Sequence, residues 1–356
     1  MVPSPPSTPV ARACTAFALT QCHGYSPLYE TIALAIAEDD DLLALLSTAP
    51  PNEARPTLLP PPSTTCCSEG SIIRWPSSTT ASGAVDQIHR THRRPPVPIL
   101  LSRLSTVFGS GHTQTNDVRR SAALVVALQQ LTLSDDRPVR LVELGSSAGL
   151  NLLYERYRYR FGALQVGDPS SGVEVPVSMD DRIKVEERLP PSASATGVDI
   201  APVDFADDDE VRWIRSFVWP ELTDDADRLM AAVDIARRWP PLVLEGGAHD
   251  LLPSLLEDSP AGSLPVVFHS TLLTYLDRDE RTDLFATLDR FGHERPLAWI
   301  ALESPGLLAQ SGGIDLGLPE AANSRFVLTL ATWPGRERRA SVLALVDAYG
   351  RWMQAL

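Results

Sequence analysis

The sequence has few cysteines and no long apolar run, and these shortages exclude several classes of protein. Its four cysteines in 356 residues do not make a disulfide framework, and the neighbours Cys66 and Cys67 are badly placed to pair with each other. Cys14, Cys22 and His23 lack a second close-spaced pair of ligands, which argues against a metal site. No apolar stretch is long enough to span a bilayer, so we expect no transmembrane segment.

Basic residues are also scarce. Lys and Arg number 31 against 45 acidic residues, and the formal net charge is -14, so we expect no nucleic-acid partner. The first 20 residues hold one basic residue, Arg12, before a short interrupted apolar run, which is not the pattern of a signal peptide. We expect a cytoplasmic protein that acts on a small molecule or a protein and has no membrane partner. The sequence leaves its oligomeric state open.

What the chain does have is enough apolar content, 44%, to bury a large core. Apolar residues recur at helical spacing over residues 11–46, and we predict a helical N-terminal region over residues 1–58. A further helix is predicted over residues 117–131, with Thr115 or Asn116 as its N-cap.

Beyond Val139, short apolar runs alternate with helical or turn-rich segments, which is typical of an α/β fold with a mainly parallel sheet. We predict that residues 111–356 form this domain. Residues 167–195 are rich in turn residues and predict an inserted hairpin. The candidate strands are residues 140–144, 197–200, 241–244, 266–269, 298–302 and 326–332.

One segment differs from the rest in composition. Residues 59–110 are rich in Pro, Ser, Thr and Arg, hold two of the four cysteines and show little amphipathic period. One interpretation is a disordered, linker-like insertion. The other is translation in a shifted frame, because GC-rich codons for this segment, moved by two bases, can spell a normal helical run. Resequencing the gene tests the second interpretation, since an intact frame without a paired insertion and deletion would exclude it.

The stretch VRLVELGSSAGLNLLYERYRY, which begins at Val139, fits two chemistries. As G-x-S-x-G it is a nucleophile elbow that presents Ser147 to an ester or amide. The elbow needs an acid and a histidine later in the chain, and Asp250 with His269, or Asp277 with His293, has that order. Spacing singles out neither pair, and an HGGG-type oxyanion loop is absent from the sequence. A serine hydrolase that uses Ser147 is therefore one alternative.

As E-x-G-x-x-x-G after an apolar strand, the same stretch is a glycine loop for a polar cofactor. Glu143 stands two residues before Gly145, at the expected carboxyl end of the strand, where a carboxylate can accept hydrogen bonds. Gly145 and Gly149 permit a tight turn into a helix that begins near Leu150. The pattern predicts a nucleotide-type cofactor site, against the alternative of a tight turn with a solvent-facing Glu143.

Longer motifs carry a family resemblance. VRLVELGSSAGLNLLYERYRYRFG, TQTNDVRRSAAL, GVDIAPVDF, FVWPE, VVFHSTLLTYL and TWPG resemble a bacterial domain-of-unknown-function family, number twenty-three thirty-two. Its members look like class I S-adenosylmethionine-dependent methyltransferases. The resemblance covers residues 15–58 and 112–356 and breaks across the intervening segment. It implies a Rossmann-like fold with a mainly parallel seven-stranded sheet flanked by helices, and S-adenosylmethionine as cofactor without a metal.

The resemblance also assigns the cofactor loop. Glu143, Gly145, Ser147 and Gly149 would lie against the methionine part of the cofactor, and Asp199 would accept from the two ribose hydroxyls. Ser147 stands where many methyltransferases have a middle glycine. Asp199 lies 50 positions after Gly149, against roughly 20 in an uninterrupted unit.

The later loops receive roles in the same way. Ala248 and Asp250 would flank the adenine, and Ser270 would lie where methyl transfer takes place. His269 is the first candidate general base and Glu303 the second.

The methyl acceptor would meet residues from several parts of the chain. Trp219 and Tyr275 are candidates for an aromatic wall, and Asn116 and Arg119 for direct contacts. The expected function is a methyltransferase for an unknown small molecule or protein. The alternatives are a methyltransferase-like protein that binds a ligand without catalysis, and the serine hydrolase.

Overall fold

The computed structural model describes residues 8–47, 113–312, 314, 316–318 and 325–356. The predicted anomalous segment, residues 59–110, lies outside them. The chain divides into a helical unit, Met1–Thr115 with Asp207–Asp227, and a sheet unit, Asn116–Ala206 with Arg228–Leu356. None of the described helices is both long and apolar enough to cross a bilayer.

Helices and strands alternate between residues 192 and 332, whereas the other strands follow one another without an α-helix between them. The α-helices are α1 (Pro9–Phe17), α2 (Pro27–Ala37), α3 (Asp40–Leu46), α4 (Arg120–Thr132), α5 (Asp208–Arg215), α6 (Thr223–Arg238), α7 (Ala248–Glu257), α8 (Arg278–Glu294) and α9 (Pro305–Gly312). The strands are β1 (Val139–Leu144), β2 (Arg158–Phe161), β3 (Leu164–Gly167), β4 (Glu174–Met179), β5 (Ser192–Asp199), β6 (Val243–Glu245), β7 (Leu264–Ser270), β8 (Ala298–Glu303), β9 (Phe326–Thr332), β10 (Arg339–Val346) and β11 (Trp352–Gln354). A π-helical turn spans Ala18–Cys22, and 3₁₀ turns span Leu150–Arg156 and Pro334–Arg336.

The helices of the helical unit begin at side-chain caps. The Ala11 amide donates to Thr8 Oγ1 at 3.1 Å at the start of α1, and the Tyr29 amide donates to Ser26 Oγ at 3.1 Å at the start of α2. Pro27 takes the first position of α2, where its missing N–H costs no hydrogen bond. The buried residues that pack together are Ala11, Cys14, Ile32, Ile36, Leu43 and Leu46.

The later segment Asp207–Asp227 supplies a further part of the helical unit. Trp219 is buried there, with its ring stacked on Tyr29 at 5.5 Å between centroids and set edge-on to Phe17 at 6.2 Å. These contacts give Trp219 a packing role. Its place in an aromatic wall stays a prediction, as does the domain boundary at residue 58.

The sheet unit is a mixed α/β structure with a large, mostly parallel sheet. Its strand order is β3-β2-β4-β11-β10-β9-β8-β7-β1-β5-β6. Strands β6, β5, β1, β7 and β8 are mutually parallel, whereas β9 is antiparallel to β8 and β10 is antiparallel to β9. The sheet therefore has eleven strands, and the expectation of seven is wrong. The apolar runs did not predict five of these strands, namely β2 and β3, which form a hairpin, and β4, β10 and β11.

The order of the five parallel strands creates a topological switch point. Strands β5 and β6 lie on one side of β1. Strand β7, which follows β6 in the chain, lies on the other side of β1. The direction of winding therefore reverses between β1 and β7. In open α/β sheets, ligands bind outside the carboxyl ends of the strands at such a switch point.

Both faces of the parallel region are covered, which explains why every residue of β1 is buried. On one face, Val142 and Leu144 pack in a core with Leu252 of α7 and Leu288 of α8. Because side chains alternate along a strand, Glu143 points to the other face. Helix α4 has 11 buried residues among its 13, as expected of a helix enclosed on all sides.

Candidate functional site

The loop after β1 has an unusual backbone. Gly145, Ser147 and Gly149 all have left-handed conformations, with φ of 65°, 50° and 69°. A Cβ atom on Gly145 would lie 2.8 Å from Leu272 Cδ1, and one on Gly149 would lie 2.7 Å from Val243 Cγ2. Both glycines are therefore required by conformation and by space, which explains their spacing in the motif. Ser147 adopts the same conformation at a cost.

Every amide of this loop is already bonded within the protein. The amides of Gly145 and Ser146 donate to Val198 O at 2.8 and 3.1 Å, and the amide of Gly149 donates to Ser146 O at 2.7 Å. The Ser147 amide donates to Asp199 Oδ2 at 2.6 Å. A loop that cradles phosphate offers free amides to the anion, so this loop is not built for a phosphate.

Asn116 completes that arrangement from outside the loop. Its Oδ1 accepts from the Ala148 amide at 3.2 Å, and its Nδ2 donates to Ser147 Oγ at 3.1 Å. Asn116 was predicted to cap α4 or to contact substrate, but α4 begins after Arg119 and has no side-chain cap. The prediction of the cap is wrong, because both ends of this amide are used to hold the loop.

The helix predicted to begin near Leu150 is a 3₁₀ turn of seven residues, Leu150–Arg156. It is too short to present an α-helix N-terminus to a ligand. It has another use, since Asn151 Nδ2 donates to Glu143 Oε1 at 2.8 Å.

Glu143 is buried, with 2% of its surface exposed, so the alternative of a solvent-facing side chain is wrong. Its Oε2 has no hydrogen-bond partner among the described residues. The pKa of Glu143 is raised from the ordinary value of 4.5 to about 8, chiefly by burial; the hydrogen bond from Asn151 and the charge of Arg120 act to lower the pKa, and the charge of Asp199 acts to raise it.

Arg120 lies on the same side of the sheet and was not predicted. Its Nη1 donates to Thr271 Oγ1 at 3.1 Å, while its Nε is buried without a partner in the described chain. No ion pair within 4 Å joins it to Glu143 or to any other acid of the described residues. The signal in the sequence was a charged residue within an otherwise apolar helical run, where charges are rarely buried unless paired.

Two residues at the end of β7, the strand next to β1, add to this group. Ser270 has a buried Oγ without a partner in the described chain, and Thr271 has a φ of 58°, which is unusual for a β-branched residue. Near the carboxyl ends of β1 and β7, the fold thus leaves an acid, a guanidinium and a hydroxyl incompletely bonded. Buried polar atoms are normally paired, so these three mark a place for a ligand.

Asp199, at the end of β5, holds the loop with one oxygen and accepts from the Ala201 amide at 3.0 Å with the other. Asp250, at the start of α7, is exposed and lies 3.1 Å from His249 Nε2. Ala248 is the first residue of α7. The predicted adenine contacts of Ala248 and Asp250 stay predictions.

The two candidate bases lie on the opposite face from Glu143, and both are fully buried. His269 Nδ1 is 2.8 Å from Glu303 Oε1, and Trp299 Nε1 donates to His269 Nε2 at 2.9 Å. Tryptophan can only donate, so His269 Nε2 is the acceptor and the proton of the neutral ring is on Nδ1. Both ring nitrogens are thus engaged, and the Leu273 amide also donates to Glu303 Oε1, at 3.1 Å. This geometry favours a structural role, and catalysis by His269 or Glu303 stays a prediction.

The remaining predicted substrate residues are placed as follows. Arg119 is buried, and its Nη1 donates to the Pro176 carbonyl at 2.8 Å, so it ties α4 to β4. Tyr275 is half-buried in the turn after β7, where its amide donates to Leu272 O at 2.8 Å. The described residues contain no cluster of three His, Cys, Asp or Glu side chains suited to a metal ion.

Comparison with known proteins places these observations in a family. The family whose description reads "Uncharacterized protein conserved in bacteria (DUF2332)" matches residues 11–355. Among curated proteins, no match was found.

Proposed function

The chain belongs to this bacterial family, and we propose that it is an S-adenosylmethionine-dependent methyltransferase for a small molecule or a protein. The observation that carries the proposal is a carboxyl group and a guanidinium, those of Glu143 and Arg120, buried beside a topological switch point without an ion pair between them. Such groups are costly unless a ligand completes their bonding.

The chemistry of the cofactor fits these residues. S-Adenosylmethionine carries an α-amino and an α-carboxylate group, two ribose hydroxyls and no phosphate. Glu143 Oε2 would accept from the amino group, and Arg120 would donate to the carboxylate. Each carboxylate oxygen of Asp199 has a second lone pair that can accept from a ribose hydroxyl. The absence of free amides in the Gly145–Gly149 loop suits a cofactor without phosphates.

The protein's own part in such a reaction is modest. The sulfonium of the cofactor supplies an activated methyl group, so the chain needs to orient the acceptor in line with it and exclude water. Asn116 and Asp199 fix the loop, and burial of Glu143 keeps that part of the crevice dry.

One observation favours a second candidate, a protein that binds this ligand without catalysis. The predicted bases His269 and Glu303 are bonded to each other on the far face of the sheet. Methyl transfer to an acceptor that needs deprotonation would then require a base from elsewhere. The serine hydrolase has less support, because Asn116 accepts from the Ala148 amide, which is the donor that an elbow uses for the oxyanion.

Calorimetric titration tests the proposal. We expect micromolar binding of S-adenosylhomocysteine and at least about hundredfold weaker binding of ATP, which shares the adenosine but replaces the amino acid by phosphates. Transfer of a labelled methyl group to components of a bacterial extract then separates the enzyme from the binding protein. Failure of the folded protein to bind S-adenosylhomocysteine, or equal binding of ATP, would contradict both.

A further inference from the structure

A cleft lies beside the edge strand β6 of the sheet. It is lined by the 3₁₀ turn Leu150–Arg156, the end of α6, the segment 239–242 and Ala195 in the first half of β5. Its volume is about 460 Å³, which is in the range of small-molecule sites and far below what a protein partner would fill. Its lining does not include Glu143, Arg120 or Ser270, although Pro241 of the cleft lies next to Gly149 of the loop after β1.

The apolar part of this cleft is unusually exposed. Trp239 has 41% of its surface exposed and Leu242 has 58%, and both belong to the lining. Leu152 and Leu153 form a buried floor beside them. A tryptophan face next to apolar side chains is suited to a planar apolar group.

The polar part of the cleft is cationic. Arg156 Cζ lies 4.2 Å from the centroid of the Trp239 ring, and Arg238 Cζ lies 5.2 Å from it. Neither guanidinium forms an ion pair with an acid of the described residues. In a chain of formal net charge -14, two arginines that stack on one indole and keep their N–H groups available make a local site for an anion.

We propose that the cleft around Trp239 binds a small amphipathic anion, with a planar apolar body against Trp239 and an anionic group held by Arg156 and Arg238. The inference is independent of the function proposed above, because it shares no residue with the Glu143 crevice.

Two fluorescent probes separate the apolar from the ionic contribution. 8-Anilinonaphthalene-1-sulfonate has the chemistry of the expected ligand, and N-phenyl-1-naphthylamine has the same body without the sulfonate. We expect one sulfonate probe per chain, bound at least about tenfold more tightly than the neutral probe. Arg156→Gln and Arg238→Gln should each weaken the sulfonate probe by about fivefold or more and leave the neutral probe unchanged. Trp239→Ala should weaken both.

Control variants test whether the probes bind at the cleft around Trp239. Arg290→Gln removes an arginine that stacks on Phe291 at 4.7 Å, outside the cleft, and should change neither titration. Glu143→Gln should also have no effect. Near-ultraviolet circular dichroism of each variant must match that of the unaltered protein, because partly unfolded chains bind the same probe. No sulfonate binding, unaltered sulfonate affinity in both arginine variants, equal binding of both probes, or loss of binding in Glu143→Gln would overturn the proposal.

Discussion

Two buried glutamates end parallel strands on opposite faces of the sheet, and their surroundings differ. Glu303 accepts from His269 and from a backbone amide, and Trp299 in turn bonds to the histidine. Glu143 accepts from Asn151 alone and lies near Arg120 without pairing to it. Each keeps an Oε2 without a partner in the described chain. The unpartnered group near Glu303 is a hydroxyl, Thr329 Oγ1, whereas Glu143 lies near Arg120, whose Nε also lacks a partner there.

On the function proposed above, the difference is that between a structural carboxylate and a ligand-binding one. The donors around Glu303 come from the fold itself, so their bonds are present before any ligand arrives. The groups around Glu143 would be completed by a ligand, so they weaken the unliganded protein and make binding favourable. The two sites should therefore respond to mutation in opposite ways.

The largest effect should come from Glu303→Ala. The substitution leaves the His269 Nδ1–H and the Leu273 amide without an acceptor and opens a cavity, so we expect the free energy of unfolding to fall by about 3–5 kcal/mol. Urea denaturation measures it. Glu303→Gln keeps an acceptor oxygen and should cost much less. Equal losses in the two variants would show that the hydrogen bonds of Glu303 do not stabilise the fold.

Glu143→Gln should act mainly on binding. Loss of the charge that would accept from the α-amino group should weaken S-adenosylhomocysteine by about 100-fold, while the free energy of unfolding without ligand should not fall, because the neutral amide keeps an acceptor oxygen without burying a charge. Glu245→Gln is the control, because Glu245 ends β6, another parallel strand of the sheet, but is exposed. Calorimetry should find its affinity unaltered. If both variants bind alike, the amino group does not meet Glu143.

Arg119 and Arg120, adjacent at the start of α4, allow the same comparison between a structural residue and a proposed ligand-binding residue. Arg120→Gln should weaken S-adenosylhomocysteine by about tenfold or more, since Arg120 would meet the ligand carboxylate. Arg119→Gln removes the bond to Pro176 and should lower the melting temperature with little change in affinity. The reverse outcome, with affinity lost only in Arg119→Gln, would return Arg119 to its predicted place in the substrate site.

The pH dependence should also single out Glu143. Its pKa in the folded protein, about 8, lies above the ordinary value of 4.5, so the folded state holds a proton that the unfolded chain releases. Its contribution to stability is therefore complete below pH 4.5 and is lost as the pH rises towards 8. Ligand affinity should run the other way, because the ionised carboxylate binds the amino group. We expect affinity to fall by up to about tenfold per pH unit below 8.

Glu143→Gln should remove the pH dependence of the free energy of unfolding, measured by urea denaturation without ligand. It should also remove the pH dependence of ligand affinity, measured by calorimetry. A slope that persists in the variant would assign the titration to another group.

The sequence predicted the strands at the centre of the sheet better than those at one edge. Strands β1, β7 and β8, and the antiparallel β9 beside them, come from continuous apolar runs, which reflect burial on both faces. Strand β2, with the sequence RYRF, has four residues and two arginines, so its pairing depends on distant strands that no local pattern reveals.

The sequence likewise predicted some residues of the candidate site and missed others. Glu143 and the two glycines followed from the order of strand and loop, because turn geometry is local. Asn116 bonds to Ser147, about 30 positions away, and Arg120 bonds to Thr271, about 150 positions away. Only the fold brings these residues together. The fully bonded histidine likewise could not be told from a free one, since Trp299 reaches it across neighbouring strands.

The smallest effect is expected for Ser147→Gly, which tests the loop itself. Glycine relieves the left-handed backbone at φ 50°, a gain of about 1 kcal/mol, but removes the hydroxyl that accepts from Asn116, a loss of similar size. Stability and S-adenosylhomocysteine affinity should therefore stay nearly constant. A hydrolase would behave differently, because labelling by a fluorophosphonate would occur in the unaltered protein and disappear in the variant. Labelling of that kind would make the serine the reactive group and the glycine-rich turn a nucleophile elbow.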